Sequence, residues 1–242
     1  MSLNVLIIGG GAIANALAER IVAENEKAHC LVLYRQNSPQ VQHSRVNTRR
    51  LDATQEHEFI TLKECIRSDF GRVHWVINTV GILHDAAQNI QPEKRLRDIN
   101  AAAFLRVMEV NVLPTLYAAK HWADLFDQSQ KNIFAVISAK VGSIADNRLG
   151  GWHSYRASKA SLNMIIKNIA LEYALSNKQL CVLALHPGTT DSALSAPFQR
   201  NVPPEKLFSP QRTAMQLLRV IQRAEPCHSG RFLNWDGERL PW

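Results

Sequence analysis

The sequence predicts a single α/β domain over residues 1–242, a doubly wound parallel sheet with helices on both faces. Three observations lead there. Short apolar runs alternate with stretches of helical period at intervals of roughly 20 to 40 residues, the pattern of βαβ units. The first run ends in a glycine turn that opens a helix. The 242 residues, 46% hydrophobic and 20% charged, are enough for one domain with a substantial core. No repeat, low-complexity tract or linker divides them.

In order, Leu3–Ile8 is a buried strand that runs into Gly9-Gly10-Gly11. Ala12, Ile13, Ala16, Leu17 and Ile21 then recur at helical spacing. Cys30–Tyr34 is a second strand, closed by the polar run from Arg35 to Pro39, and Val46–Leu51 a third near an edge. Thr61–Phe70 is a helix and Val73–Thr79 the next strand, stopped before Gly81. A long helical stretch runs from Asp98 to Phe126, with Pro114 as a kink or step within it. Ile133–Ser138 is a fifth strand, Tyr155–Leu175 a helix with sustained apolar period, and Leu180–Leu185 a sixth strand ended by Pro187-Gly188. Ser195–Pro210 is the longest loop. It follows a strand end, where ligands of open α/β sheets bind. Ser209-Pro210 supplies an N-cap and first position for a last helix through Arg223, and Arg231–Asn234 adds an edge strand.

Composition excludes several classes. No apolar run approaches the ~20 residues of a membrane span, and Met1-Ser2-Leu3-Asn4 lacks the basic start of a signal peptide. Cys30, Cys65, Cys181 and Cys227 form no CxxC pair or zinc spacing, and read as reduced thiols of a cytoplasmic protein. His84, His153 and His186 show no ligand spacing, so no metal is expected. The formal charge of +7 is spread along the chain, with only Arg49-Arg50 and Lys94-Arg95 as tight pairs. An anionic small molecule explains it at least as well as nucleic acid, and no nucleic-acid or membrane partner is expected.

Gly9-Gly10-Gly11-Ala12-Ile13-Ala14 fits G-x-G-x-x-A between a strand and a helix. Such a turn lets the backbone approach a pyrophosphate, while the helix N-terminus offers free N–H groups. The second strand ends in Tyr34-Arg35, with no carboxylate before Asp52. A guanidinium there pairs with a 2′-phosphate and a carboxylate repels one, so NADP(H) is expected over NAD(H). Tyr155 and Lys159, four apart on a helix, share a face. A lysine cation beside a phenol favours the phenolate and brings the tyrosine toward neutral proton exchange.

With these residues in place, the chain resembles the short-chain dehydrogenase/reductase family, and within it the C-factor-like and sniffer-like carbonyl reductases. The resemblance covers nearly the whole chain. It runs from the glycine turn through Asp52-Ala53-Thr54, Asn78-Thr79-Val80-Gly81, Asn111, Ser138, Tyr155 with Lys159, and Pro187-Gly188. The runs Gly142-Ser143-Ile144, Gly150-Gly151-Trp152 and Gly230-Arg231-Phe232, and the ending Pro241-Trp242, belong to it as well. It implies a Rossmann-type fold and hydride transfer between NADP(H) and a small-molecule carbonyl or alcohol. Tyr155 would be the general acid or base. Lys159 would hold the nicotinamide ribose and lower the tyrosine pKa, and Asn111 would hold a relay water. Gly9, Gly11, Ala12 and Ile13 would face the pyrophosphate. Tyr34 and Arg35 would lie at the adenosine 2′ position, Asp52 and Ala53 at adenine. Asn78, Val80 and Gly81 would line the adenosine ribose side, while Pro187, Gly188, Thr190 and Ser192 would hold the carboxamide. The resemblance also implies a homodimer or homotetramer built on the two long helices.

The chain departs from the family pattern in three places. The glycine turn is a residue short, with Ala12 and Ala14 for its later glycines, and the Asn-Asn-Ala-Gly motif keeps only its ends. Third, Ala139 stands where the family has its catalytic serine. Neighbours on a strand point to opposite faces, so Ser138 substitutes only if the strand bulges. Ser143, just beyond the Gly142 turn, is the expected replacement. The alternative reading is a catalytically weak NADP-binding sensor or signalling protein. Trp152 and Phe198 either line the substrate pocket or simply pack.

Overall fold

The computed structural model describes residues 2–242. In chain order it runs β1 (Leu3–Ile8), α1 (Ala12–Glu24), β2 (Ala28–Tyr34), β3 (Val46–Arg50), α2 (Glu56–Phe70) and β4 (Trp75–Asn78). Then follow α3 (Ala101–Trp122), β5 (Asn132–Ile137), α4 (His153–Ser176), β6 (Leu180–Leu185), β7 (Thr189–Thr190), β8 (Leu207–Phe208), α5 (Pro210–Arg223) and β9 (Arg231–Leu233). Seven strands form one sheet in the order β3-β2-β1-β4-β5-β6-β9, every pair parallel. The order reverses between β1 and β4, which opens a crevice above their carboxyl ends.

Alternation along the strands divides the core. Val5, Ile7, Val32, Ile133, Ala135 and Ile137 face α1 and α5, which pack together on one side. Leu6, Ile8, Val76, Phe134 and Val136 face α2, α3 and α4 on the other. β4, β5 and β6 are buried on both faces, which is why they read as unbroken apolar runs. Ser209 caps α5 by accepting the Arg212 amide, with Pro210 in the first helical position.

Three elements differ from the expected ones. α2 begins at Glu56, five residues before Thr61, because its first turn is held by a tertiary pair that leaves no apolar period: Glu56 meets Lys120 at 2.7 Å and His121 at 2.8 Å. Pro114 lies inside an uninterrupted α3, flanked by short 3-10 turns at Leu96–Asp98 and Ala123–Leu125. The segment 195–210 is not a plain loop. It folds into 3-10 turns at Ala196–Asn201 and Pro204–Lys206, and β8 then pairs with β7.

Candidate active site

The parallel sheet delivers the ends of β1, β4, β5 and β6 to one edge, and with them the turns at 9–11, 78–81, 138–142 and 186–188. At the first turn Gly9 takes φ +114°, and a Cβ there would collide with the Thr79 hydroxyl, which itself bonds the Ile8 carbonyl. Gly11 is the N-cap of α1, with no side-chain cap and no acidic residue in the first turn. A Cβ on Gly11 would meet nothing within 4 Å. The first amides of α1, at Ala12 and Ile13, thus have no side-chain cap and carry the positive end of the helix dipole.

Around this turn the expected ligand residues divide. Arg35, beyond the end of β2, makes no ion pair among the described residues. Burial raises the pKa of Asp52, but the Thr54 amide and hydroxyl with Arg35 and Arg106 outweigh it and hold the carboxyl below its ordinary range. Ala53 is buried beside it, and Tyr34 is half-buried. Asn78 turns inward: its amide donates to Thr115 Oγ1 at 2.8 Å and its oxygen accepts the Val80 amide at 3.0 Å, so it shapes the turn through Gly81 from behind.

Tyr155 and Lys159 are both buried on one face of α4. The Lys159 Nζ, in a residue only 3% exposed, lies 5.8 Å from the Tyr155 ring centroid and donates to the Ile137 carbonyl at 3.1 Å. It has no carboxylate partner among the described residues, and burial lowers its pKa to about 8. Burial pushes the Tyr155 phenol upward, which corrects the expectation that Lys159 draws it down: in the protein alone desolvation dominates. The turn at 140–142 packs so closely on α4 that a Cβ on Gly142 would lie 2.7 Å from that of Lys159.

Asn111 is a clamp. Its oxygen accepts the Ile82 amide at 2.7 Å, and its nitrogen donates to the Ile82 carbonyl at 3.0 Å and to Ser158 Oγ at 2.8 Å. Ser158 in turn donates to the Tyr155 carbonyl, so Asn111 ties the Gly81 loop to α4. A Cβ on Gly81 would lie 3.3 Å from both Asn111 Oδ1 and Lys159 Nζ, which places these groups around one point.

Neither candidate serine is hydrogen-bonded to Tyr155 among the described residues; both hydroxyls have other partners. Ala139 keeps extended backbone, φ −150° and ψ 142°, with no bulge to turn Ser138 across the sheet. The Ser138 hydroxyl is buried and donates to Asn163 Oδ1 at 2.6 Å. Ser143 Oγ donates to a main-chain oxygen of Trp242 at 3.2 Å and accepts the Asp146 amide at 3.1 Å. Pro187 and Gly188 stand at the end of β6 as expected, but the Thr190 hydroxyl is paired with that of Thr213 at 2.8 Å and Ser192 Oγ donates to the Thr190 carbonyl at 3.3 Å.

An aromatic wall stands beside the pair. Trp152 sets its edge on Tyr155, centroids 6.2 Å apart, and Phe198 leans on Trp152 at 5.1 Å and on His84 at 5.8 Å. His84 Nε2 also lies within 3.2 Å of the Ala193 and Leu194 carbonyls, so it grips the segment that carries Phe198. Sequence reasoning missed His84 in this role, together with Glu93, Ser158 and Asn163. Their partners lie from 3 to 110 positions away, and only Ser158, in register with Tyr155 on one helix face, carried a local signal.

Residues 3–203 match the family described as short chain dehydrogenase. The 1-hydroxy-2-glutathionyl-2-methyl-3-butene dehydrogenase of Rhodococcus sp. (strain AD45) is 35% identical over 137 residues, 57% of this chain and 58% of that protein. The C-signal protein of Myxococcus xanthus is 29% identical over 147 residues, 61% of this chain and 83% of its own. The match thus spans little more than half of the first of these relatives. Among solved structures, the carbonyl reductase Sniffer of D. melanogaster superposes with a TM-score of 0.85 at 19% identity, all of both chains covered. The NADPH-bound carbonyl reductase from chicken fatty liver gives 0.80 at 18%, over 100% of this chain and 95% of that one. At such identities the likeness is one of fold.

Proposed function

The chain belongs to the short chain dehydrogenase family, and from that premise we propose that it is an NADP(H)-dependent oxidoreductase acting on a small-molecule carbonyl or alcohol. The observation that carries the reading is the buried Tyr155–Lys159 pair, set beside the strand ends to which the uncapped N-terminus of α1 points. The dinucleotide fits the residues present. The open space at Gly11 takes a pyrophosphate, Arg35 is free for a 2′-phosphate, and Lys159 is a buried cation with one carbonyl partner, ready for ribose hydroxyls. When bound, that group supplies or accepts the hydride.

The protein's part is positioning and proton transfer. Tyr155 Oη donates to the substrate oxygen from hydrogen-bond reach, about 2.6–3.2 Å. Its raised pKa keeps the phenol protonated at neutral pH, the state that reduction of a carbonyl requires. Lys159 offsets the charge left on the phenolate, held in place by the Ile137 carbonyl. Asn111 keeps the Gly81 loop and α4 in register. The wall of Trp152, Phe198 and His84 favours an apolar, flat substrate and shields the proton transfer from water.

The test is a titration of NADPH and NADH beside a panel of aromatic and aliphatic carbonyls. NADPH should bind more tightly, Arg35→Ala should weaken NADPH selectively, and Tyr155→Phe should abolish turnover while leaving NADPH affinity intact. NADH binding as tightly as NADPH in the wild type would remove the cofactor assignment. The second reading, a weak or non-catalytic NADP-binding sensor, draws on Ala139 together with the commitment of Ser138 and Ser143 to other partners. It predicts negligible wild-type turnover that Ala139→Ser restores. Losing one such donor costs roughly 10²–10³ in rate in other enzymes, which slows an enzyme without silencing it.

A further inference from the structure

The helix that carries Tyr155 begins in an unusual way. Its N-cap, Trp152, sits in the left-handed region at φ 51° and ψ 44°, follows two glycines at φ +63° and +62°, and has no side-chain cap of its own. No acidic residue stands in the first turn of α4. The missing cap comes from a distant segment. Glu93 is 5% exposed, and its Oε2 accepts the Ser154 amide at 3.1 Å while its Oε1 accepts the Ser154 hydroxyl. The Glu93 main-chain carbonyl accepts the Trp152 amide at 2.5 Å. One residue therefore satisfies both the left-handed Trp152 and the second position of α4, immediately before Tyr155.

The carboxylate has no cation partner among the described residues. Its charge is met by the N–H groups and positive dipole end of α4, an arrangement that stabilises it only while the first turn stays wound. From the other side, Arg156 Nε donates to the Gly150 and Gly151 carbonyls, each at 3.1 Å, and its Nη1 donates to the Val141 carbonyl at 3.1 Å. The first turn of α4 is thus gripped from two sides, and its occupants are Tyr155 and the Trp152 ring that lies edge-on against it.

We propose that Glu93 is a positioning residue for the active site: as a cap supplied from outside α4, it sets the first turn that aims Tyr155 and fixes the Trp152 wall. Its kinetic consequence rests on the oxidoreductase reading above, whereas its structural consequence does not. A cap that served stability alone would lower the melting temperature and leave kcat unchanged. A cap that aims the phenol lowers kcat while the dinucleotide, bound mainly by β1, α1 and the loop after β2, is held as before.

The experiment compares wild type, Glu93→Ala, Glu93→Gln and Ser154→Ala by hydrogen exchange across residues 150–160, NADPH affinity, and kcat on a carbonyl substrate that the wild type reduces. Glu93→Ala should raise exchange at 153–156 at least ten-fold with other helices unchanged. It should also lower kcat ten-fold or more with the NADPH Kd within two-fold. Glu93→Gln, which keeps an acceptor and the shape, should recover most of both losses. Should Glu93→Ala fail to fold, Ser154→Ala removes one of the two carboxylate bonds and should show a smaller change in the same direction. Wild-type exchange at 153–156 in these variants, or an unchanged kcat with only a lower melting temperature, would overturn the proposal. If the wild type reduces no carbonyl, the oxidoreductase reading has failed. Glu93 is then decided by exchange: local release at 153–156 upholds its hold on the Tyr155 turn, and its absence ends it.

Discussion

Lys159 carries a cost that pH can reveal. Burial holds its pKa at about 8, below the ordinary 10.5 that it regains in the unfolded chain. Between these values the unfolded chain binds the proton that the folded one has released, so stability rises with pH across the window from about 8 to 10.5. The penalty is complete below pH 8 and amounts to on the order of 3 kcal/mol. Tyr155 acts in the opposite sense, since its pKa is raised, but only above the ordinary tyrosine range. Buried Cys30 and Cys181, pushed up from 9.0 to about 12, pull the other way above about pH 9. The expected result is therefore a wild-type melting temperature that gains on that of Lys159→Met as the pH rises from 7.5 to 9.5 in the cofactor-free protein. A constant difference between the two profiles would show that the amine is not desolvated. The pair itself was legible, because a spacing of four on a helix puts two side chains on one face whatever surrounds it. The fates of Ser138 and Ser143 were not. Each hydroxyl is claimed by a partner 25 or 99 positions away, Asn163 or Trp242, and no local pattern announces such a partner.

Elements were legible where the physics is local. α5 shows this best: Ser209 and Pro210 mark its start in the sequence, and the structure has Ser209 accepting the Arg212 amide. Ser209→Ala should therefore cost about 1 kcal/mol, read as a shift of the urea midpoint with unchanged slope. A shift beyond measurement would mean that water caps α5 equally well. By contrast, the first turn of α2 has no apolar period, and its start is decided by Glu56 meeting Lys120 and His121 on α3. The order within 195–210 was equally hidden, since β7 and β8 are two residues each and exist only by pairing with one another. His84, more than a hundred positions from the carbonyls it grips, completes that arrangement.

At the scale of the molecule, alternation of apolar runs and helices gave the class and the parallel sheet, while the position of β1 at the reversal of strand order follows from the pairing alone. What remains uncovered is also informative. Leu105 on α3, and Met164, Leu171 and Leu175 on α4, stand exposed, Leu175 at 87%. These are the two long helices on which self-association was expected. Light scattering at micromolar concentration should give at least twice the monomer mass, and Leu171→Glu with Leu175→Glu should return it to the monomer. A wild-type particle of monomer mass would place these residues on a free surface.

The packing of α1 against α5 has a consequence for the birth of the chain. The apolar stripe of α1, Ala14, Leu17, Ala18 and Ile21, finds its cover in Leu217, Leu218 and Ile221 of the last helix. A ribosome adding 5–20 residues per second needs roughly 10 to 40 seconds to make the intervening chain. Throughout that interval β1 and β2 cover one side of the stripe, while the part that α5 closes has no partner yet synthesised. Chains halted before Pro210 should accordingly be clients of holding chaperones, and chains released after Arg223 should not.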